Sequence, residues 1–90
     1  MGPYSTPEII RDLSKDDHCL YMTDAWVEDR GVQNLAIYDC FPKFLRASLL
    51  GTGDTMERTI RKMTGATADR FSLKNRGYLR DGYSADITVF

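Results

Sequence analysis

Three stretches before residue 72 carry apolar positions at helical spacing, and from Ser72 onward the texture changes. Ile9, Ile10 and Leu13 give one apolar face to a short helix that ends around Leu13–Lys15. Its start is well specified, because Thr6 suits the cap, Pro7 the first helical position and Glu8 the positive end of the helix dipole. Asp16-Asp17 breaks the pattern. His18-Cys19-Leu20-Tyr21-Met22 is a short, mostly apolar run closed by Thr23-Asp24, with the length of a buried strand. Residues 25–34 lack periodicity, contain Gly31 and read as a loop.

The segment from Phe41 to Leu50 reads as a helix with Pro42 near its first turn and Phe41, Phe44, Leu45 and Leu49 on one face. Gly51-Thr52-Gly53 ends it. Asp54-Thr55-Met56-Glu57 resembles a capping box with an acidic cap and opens the next helix. Met56, Ile60 and Met63 form the expected buried stripe there, while Glu57, Arg58, Arg61 and Lys62 are expected to face water. Gly65 stands where a helix-ending glycine belongs, and a further turn of helix fits 67–71. From Ser72 onward, Arg76-Gly77 and Asp81-Gly82 are turn signals. Tyr78-Leu79-Arg80 and the run from Ala85 to Phe90 read as strands. The expected fold class is therefore α+β, mainly helical with a few short strands, in three parts: a disordered or added terminus at 1–5, helix and strand units at 6–71, and hairpin-like strands at 72–90. The chain ends inside an apolar β run with an open edge, so either the rest of a longer protein or another subunit is expected to cover it.

Composition narrows the function classes. The chain has 90 residues, a net charge of −1, 42% apolar and 28% charged residues, and cations spread along its length. No basic stripe for nucleic acid and no cluster for an acidic membrane stands out. No run approaches the roughly 20 apolar residues of a membrane span, and the first ten residues carry no apolar export signal. Met1-Gly2-Pro3-Tyr4-Ser5-Thr6 fits the permissive myristoylation pattern, although Pro3 is an awkward second residue for it. With no export signal, Cys19 and Cys40 read as reduced thiols of a cytoplasmic protein, and a Cys19–Cys40 disulfide is the alternative.

Three segments carry a resemblance. Thr55-Met56-Glu57-Arg58-Thr59-Ile60-Arg61-Lys62-Met63-Thr64-Gly65 continues through Ala68-Asp69-Arg70-Phe71, Leu73, Asn75-Arg76-Gly77, Leu79, Gly82 and the final Ala85-Asp86-Ile87-Thr88-Val89-Phe90. The order is similar to the closing signature of metal-dependent amidohydrolases, above all the N-acyl-D-amino-acid deacylase (D-aminoacylase) branch. There, an "EEAIRKMT" helix precedes "PA-x-RF-x-L", "RG-x-L-x-x-G" and "ADLVVF". Tyr38-Asp39-Cys40-Phe41-Pro42-Lys43-Phe44-Leu45 resembles that branch's "YGTFPRVL", and Leu20-Tyr21-Met22-Thr23-Asp24 looks like the last barrel strand of the superfamily, which ends in a metal-site aspartate. In three places the chain departs from the branch. Asn34-Leu35-Ala36 stands where it often has His-Pro-Arg, so that Arg has no counterpart; Asp39 replaces a Gly and Thr67 a Pro.

The resemblance implies the last part of a (β/α)₈ barrel plus the return strands of a small β-sandwich, with the rest of the enzyme N-terminal to it. It implies zinc in the parent enzyme, an N-acyl amino acid as substrate, and amide hydrolysis by metal-bound hydroxide with Asp24 at the metal as proton shuttle. Tyr38 and Phe41 are candidate pocket-lining residues, against plain packing at a helix start. His18, Cys19, Cys40 and Asp24 as a zinc set lack any ligand spacing, and a strand-edge His and a buried Cys are the ordinary alternative. Arg70 and Arg76 read as structural hydrogen-bonding partners, and Gly51-Thr52-Gly53 lacks the lysine of a phosphate loop. The chain has one histidine in all, and Asp24 by itself does not hold a catalytic zinc, so residues 1–90 alone are expected to be inactive. The non-enzymatic alternative is a stand-alone module that self-associates through its open edge.

Overall fold

The computed structural model describes residues 6–33 and 35–90; the expected terminus at 1–5, its myristoylation pattern and Asn34 lie outside them. Four helices follow one another: α1 (Pro7–Ser14), α2 (Ala36–Leu49), α3 (Met56–Met63) and α4 (Gly65–Arg70). Helix α3 packs against both α2 and α4.

Helix α1 starts as its sequence dictates, with the Ile9 amide donating to Thr6 Oγ1 at 3.3 Å and Pro7 entering the first turn. Helix α2 begins five residues earlier than its apolar face indicates. Pro42 therefore lies inside it, where the missing N–H deprives the Tyr38 carbonyl of its usual partner. After Leu49 the chain turns through Gly51 at φ 75°, and the Thr52 and Gly53 amides both donate to the Ala47 carbonyl, at 3.0 and 3.3 Å.

Thr55, rather than Asp54, caps α3: its Oγ1 accepts from the Arg58 amide at 3.3 Å. The break to α4 comes at Thr64, whose φ of −129° and ψ of −90° are not helical. Thr67 Oγ1 donates to the Lys62 carbonyl across the break at 2.7 Å. Gly65 opens α4 instead of closing α3 in a left-handed turn. Its hydrogen leaves room for the Tyr78 ring, since a Cβ there would sit 2.5 Å from Tyr78 Cζ. The Tyr78 hydroxyl then donates to Asp69 Oδ2 at 2.5 Å and accepts from Arg61 Nη1 at 3.1 Å.

The α+β expectation is overturned: among the described residues there is no strand, no sheet and no barrel unit. Residues 19–28, 78–80 and 84–90 have the β-forming composition but no regular structure. A strand is defined by its neighbours, and among the described residues no segment pairs with another in register. The 18–22 run is held by side chains instead. The Tyr21 ring lies 4.6 Å from that of Phe44 at 45°, and its hydroxyl reaches the Ser14 carbonyl at 3.4 Å. The turn signals of the last segment do hold, with Gly77 at φ 87° and Gly82 at φ 79°, and Ser84 N donates back to Asn75 O at 2.9 Å.

The core is small and mostly polar. Ala68 is buried, but so are Ser14, Asp54, Thr59 and Lys62, whereas Met56, Ile60 and Met63 are only half-buried. Large apolar side chains stay in solvent, Val32 and Val89 to more than nine-tenths. The radius of gyration of 14.6 Å exceeds the roughly 12 Å of a compact chain this long.

Candidate functional site

The sequence-named residues are set around α2 and the segment leading into Asp24. Cys40 Sγ donates to the Met22 carbonyl at 3.3 Å, and Phe44, one turn further along, carries the Tyr21 ring. These two contacts lay the 21–24 segment along one side of α2. Asp24 sits just beyond them, exposed, at φ 48° and with no side-chain partner among the described residues. A left-handed conformation at a non-glycine residue carries a modest strain, which aspartate tolerates better than most.

Tyr38 and Phe41 lie one turn apart and share a face. Phe41 is also one turn from Phe44, whereas Tyr38 is turned well away from Cys40. Tyr38 is 64% exposed and Phe41 37%. No hydrogen bond or ring contact joins Asp24, Tyr38 and Phe41 among the described residues.

The donors do not converge on a metal. His18 is almost fully exposed and turned to Asp16, with Nδ1 3.3 Å from Oδ1. The same carboxylate accepts from the His18 amide at 2.8 Å, which holds Asp16 below the usual carboxylate range. Cys19 and Cys40 are free thiols, and burial pushes the Cys40 thiol up from its ordinary value. No group of three His, Cys, Asp or Glu side chains able to hold an ion occurs among the described residues. A catalytic zinc takes three protein ligands, so these residues do not fit the zinc that the resemblance implies.

The densest polar arrangement is one the sequence reading left in solvent. Lys62 Nζ donates to Asp54 Oδ2 at 3.0 Å and to the Ser14 carbonyl, at the end of α1, at 2.6 Å. Arg58 Nε bridges both Asp54 oxygens at 3.0 Å, and its Nη2 donates to the Lys15 carbonyl at 3.0 Å and pairs with Asp17. The Thr55 amide adds a further donor to Asp54 at 2.9 Å. Burial works to raise the Asp54 pKa, but the donors from Lys62, Arg58 and Thr55 outweigh it and hold the carboxyl below its ordinary 3.8. Beside this cluster, Ser48 and Thr59 share a 2.7 Å hydrogen bond that joins α2 to α3. The cluster does structural work: two cations of α3 satisfy carbonyls at the C-terminal end of α1, where cations are favoured. Its signal in the sequence is the spacing 54, 58, 62, which puts a carboxylate and two cations on one helical face.

Two curated proteins of Alcaligenes xylosoxydans xylosoxydans are similar to part of the chain. One is a D-aminoacylase, 54% identical over 35 residues, which are 39% of this chain and 7% of that protein. The other is an N-acyl-D-aspartate deacylase, 47% identical over 36 residues, 40% of this chain and 7% of that protein. The chain thus matches only a small part of each relative's length. No family model matches the chain, and no solved structure matches it. No helix among the described residues is long and apolar enough to cross a membrane.

Proposed function

We propose that the chain is a scaffold segment of an amide-hydrolysing enzyme of the N-acyl-D-amino-acid deacylase type, inactive by itself. The observation that carries this reading is the 54% identity to a D-aminoacylase over 35 residues. The stretch from Thr55 to Phe90, 36 residues long, holds the ordered series of Arg70-Phe71, Arg76-Gly77, Gly82 and Ala85-Asp86 that carries the resemblance. Much of that stretch is occupied with packing. Lys62 and Arg58 tie to α1, Gly65 receives Tyr78, and Gly77 abuts Ala68. The remainder of the enzyme would supply the zinc ligands and cover the exposed apolar side chains. The substrate class is an N-acyl amino acid. Asp24 is the residue assigned to chemistry, since an exposed carboxylate without a partner is free to accept a proton and pass it to the departing amine. Tyr38 and Phe41 are assigned to the substrate side of the assembled protein.

A chimera tests the reading. Replacing the matched 35-residue stretch of the D-aminoacylase with that of this chain is expected to preserve zinc-dependent deacylation of N-acetyl-D-amino acids. The 90-residue chain alone is expected to release no amino acid. A dead but folded chimera, or zinc-dependent activity in the isolated chain, would refute it. In any active assembly containing the whole chain, Asp24→Asn is expected to lower kcat by about 100-fold or more.

Self-association is a second reading, favoured by the exposure of Ile87, Val89 and Phe90 at 63%, 92% and 77%. Light scattering decides it: a concentration-independent monomer mass excludes it, and a rising mass that Val89→Lys abolishes supports it.

A further inference from the structure

Arg80 stands apart from the other cations of the described chain. Its guanidinium carbon lies 4.2 Å from the centre of the Tyr78 ring and 5.7 Å from that of Tyr83. Two aromatic faces thus hold the side chain, yet none of its N–H donors is engaged by a described residue. Arg58, Arg61, Lys62 and Arg76 face a carboxylate, and cations such as Arg70 and Lys74 face neither a carboxylate nor a ring, so the aromatic stacking is what sets Arg80 apart. The Tyr78 platform is itself fixed, with its ring over Gly65 and its hydroxyl between Asp69 and Arg61. Arg80 also lines a cleft of about 270 Å³ with Leu79, Tyr83 and Ser84. Asp81 is on the same rim and makes no ion pair with Arg80.

We propose that this cleft binds a small carboxylate bearing an apolar substituent. A stacked guanidinium loses little freedom on binding and presents two parallel N–H groups that match a carboxylate. Leu79 and the Tyr83 ring offer apolar surface to the rest of the ligand, and the Ser84 hydroxyl is a further donor on the rim. Asp81 disfavours ligands of higher negative charge, which selects a monoanion over phosphate. The site stands on this geometry alone and is independent of the amidohydrolase reading.

The test is direct binding to the 90-residue chain. The probe is 4-methylpentanoate, and the readout is the arginine side-chain N–H resonances together with tyrosine fluorescence. Saturable binding with a dissociation constant of roughly millimolar order is expected. Arg80→Met is expected to weaken it by about tenfold or more, and Arg80→Lys, which keeps the charge and loses the fork, by a smaller factor. Arg80 is exposed, so both variants should keep the parent's circular dichroism; the uncharged analogue 4-methylpentanamide should not bind. Absence of saturation, equal binding by Arg80→Met, equal binding of the amide, or inorganic phosphate binding as tightly as the carboxylate would each overturn the proposal.

Discussion

Lys62→Met asks whether the cation the sequence places in solvent is in fact a buried strut. Methionine keeps most of the aliphatic stem and removes the ammonium. In the folded chain that ammonium is buried against Asp54 Oδ2 at 3.0 Å and the Ser14 carbonyl at 2.6 Å. Without it, Asp54 retains Arg58 and the Thr55 amide, while Ser14 O keeps only the long contact from the Tyr21 hydroxyl at 3.4 Å. Removing one member of a buried pair costs about 3–5 kcal/mol. Arg58 continues to compensate Asp54, so the expected loss is at the lower end, about 3 kcal/mol. A domain of this size has a total stability of roughly 5–13 kcal/mol, so the variant loses a large part of its margin. Urea titration followed by far-UV circular dichroism reads it. With a slope of about 1 kcal/mol per molar, the midpoint falls by roughly 3 M. The double variant Asp54→Leu/Lys62→Met removes both buried charges and leaves Arg58 its contacts to Asp17 and Lys15. It is expected to be less destabilised than Lys62→Met alone. A Lys62→Met midpoint within about 1 M of the parent would refute the buried strut and restore the solvent-facing lysine.

Three other outcomes follow from the same structure. Because the folded Asp54 pKa lies below its ordinary 3.8, its stabilising contribution is present above about pH 4 and is lost as pH falls through the folded value; acid titration should therefore cost the parent more stability than Asp54→Asn. Gly77→Ala and Gly51→Ala both put a side chain at positive φ, 87° and 75°, but only at position 77 would the Cβ meet a neighbour, Ala68 Cβ at 2.8 Å. The Gly51 variant should lose about 1 kcal/mol and the Gly77 variant 1–3 kcal/mol more, read as urea midpoints, and equal losses would argue against the close approach. With its thiol pushed up from 9.0 by burial, Cys40 should be alkylated by iodoacetamide near neutral pH more slowly than an unhindered thiol, with mass spectrometry locating the label.

What could be read from the sequence divides by the range of the interaction. The start of α1 is written in three adjacent residues, Thr6, Pro7 and Glu8, and each does in the fold what its chemistry predicts. The turns at Gly77 and Gly82 are equally local. The strands failed for the opposite reason. The runs 18–22 and 85–90 have β composition, but a strand exists only where another lies beside it, and no local pattern reports that. Lys62 failed because an exposed and a buried cation look alike on a helical wheel; the Ser14 carbonyl that engages it is 48 residues away. Gly65 carries the signal of a helix-ending glycine, but in the fold it opens α4 and leaves room for the Tyr78 ring.

The same division explains why the relationship to deacylases is easier to read than a catalytic site. The matched stretch covers 39% of this chain and 7% of the D-aminoacylase. In the segment from Thr55 to Phe90 the residues with a defined physical task satisfy helix carbonyls, admit a ring or turn the chain, and such tasks depend on neighbours a few residues or one helix away. A catalytic zinc site needs several donors brought together from distant parts of a chain. Here Asp24, His18, Cys19 and Cys40 form no ion-binding group among the described residues, and no hydrogen bond or ring contact joins Asp24 to Tyr38 or Phe41. The chain is thus similar to two deacylases at about half identity over 35 and 36 residues, while its described residues bring no complete catalytic set. The Lys62–Asp54–Arg58 cluster, which ties α3 to the end of α1, is where a single substitution should disturb this fold most.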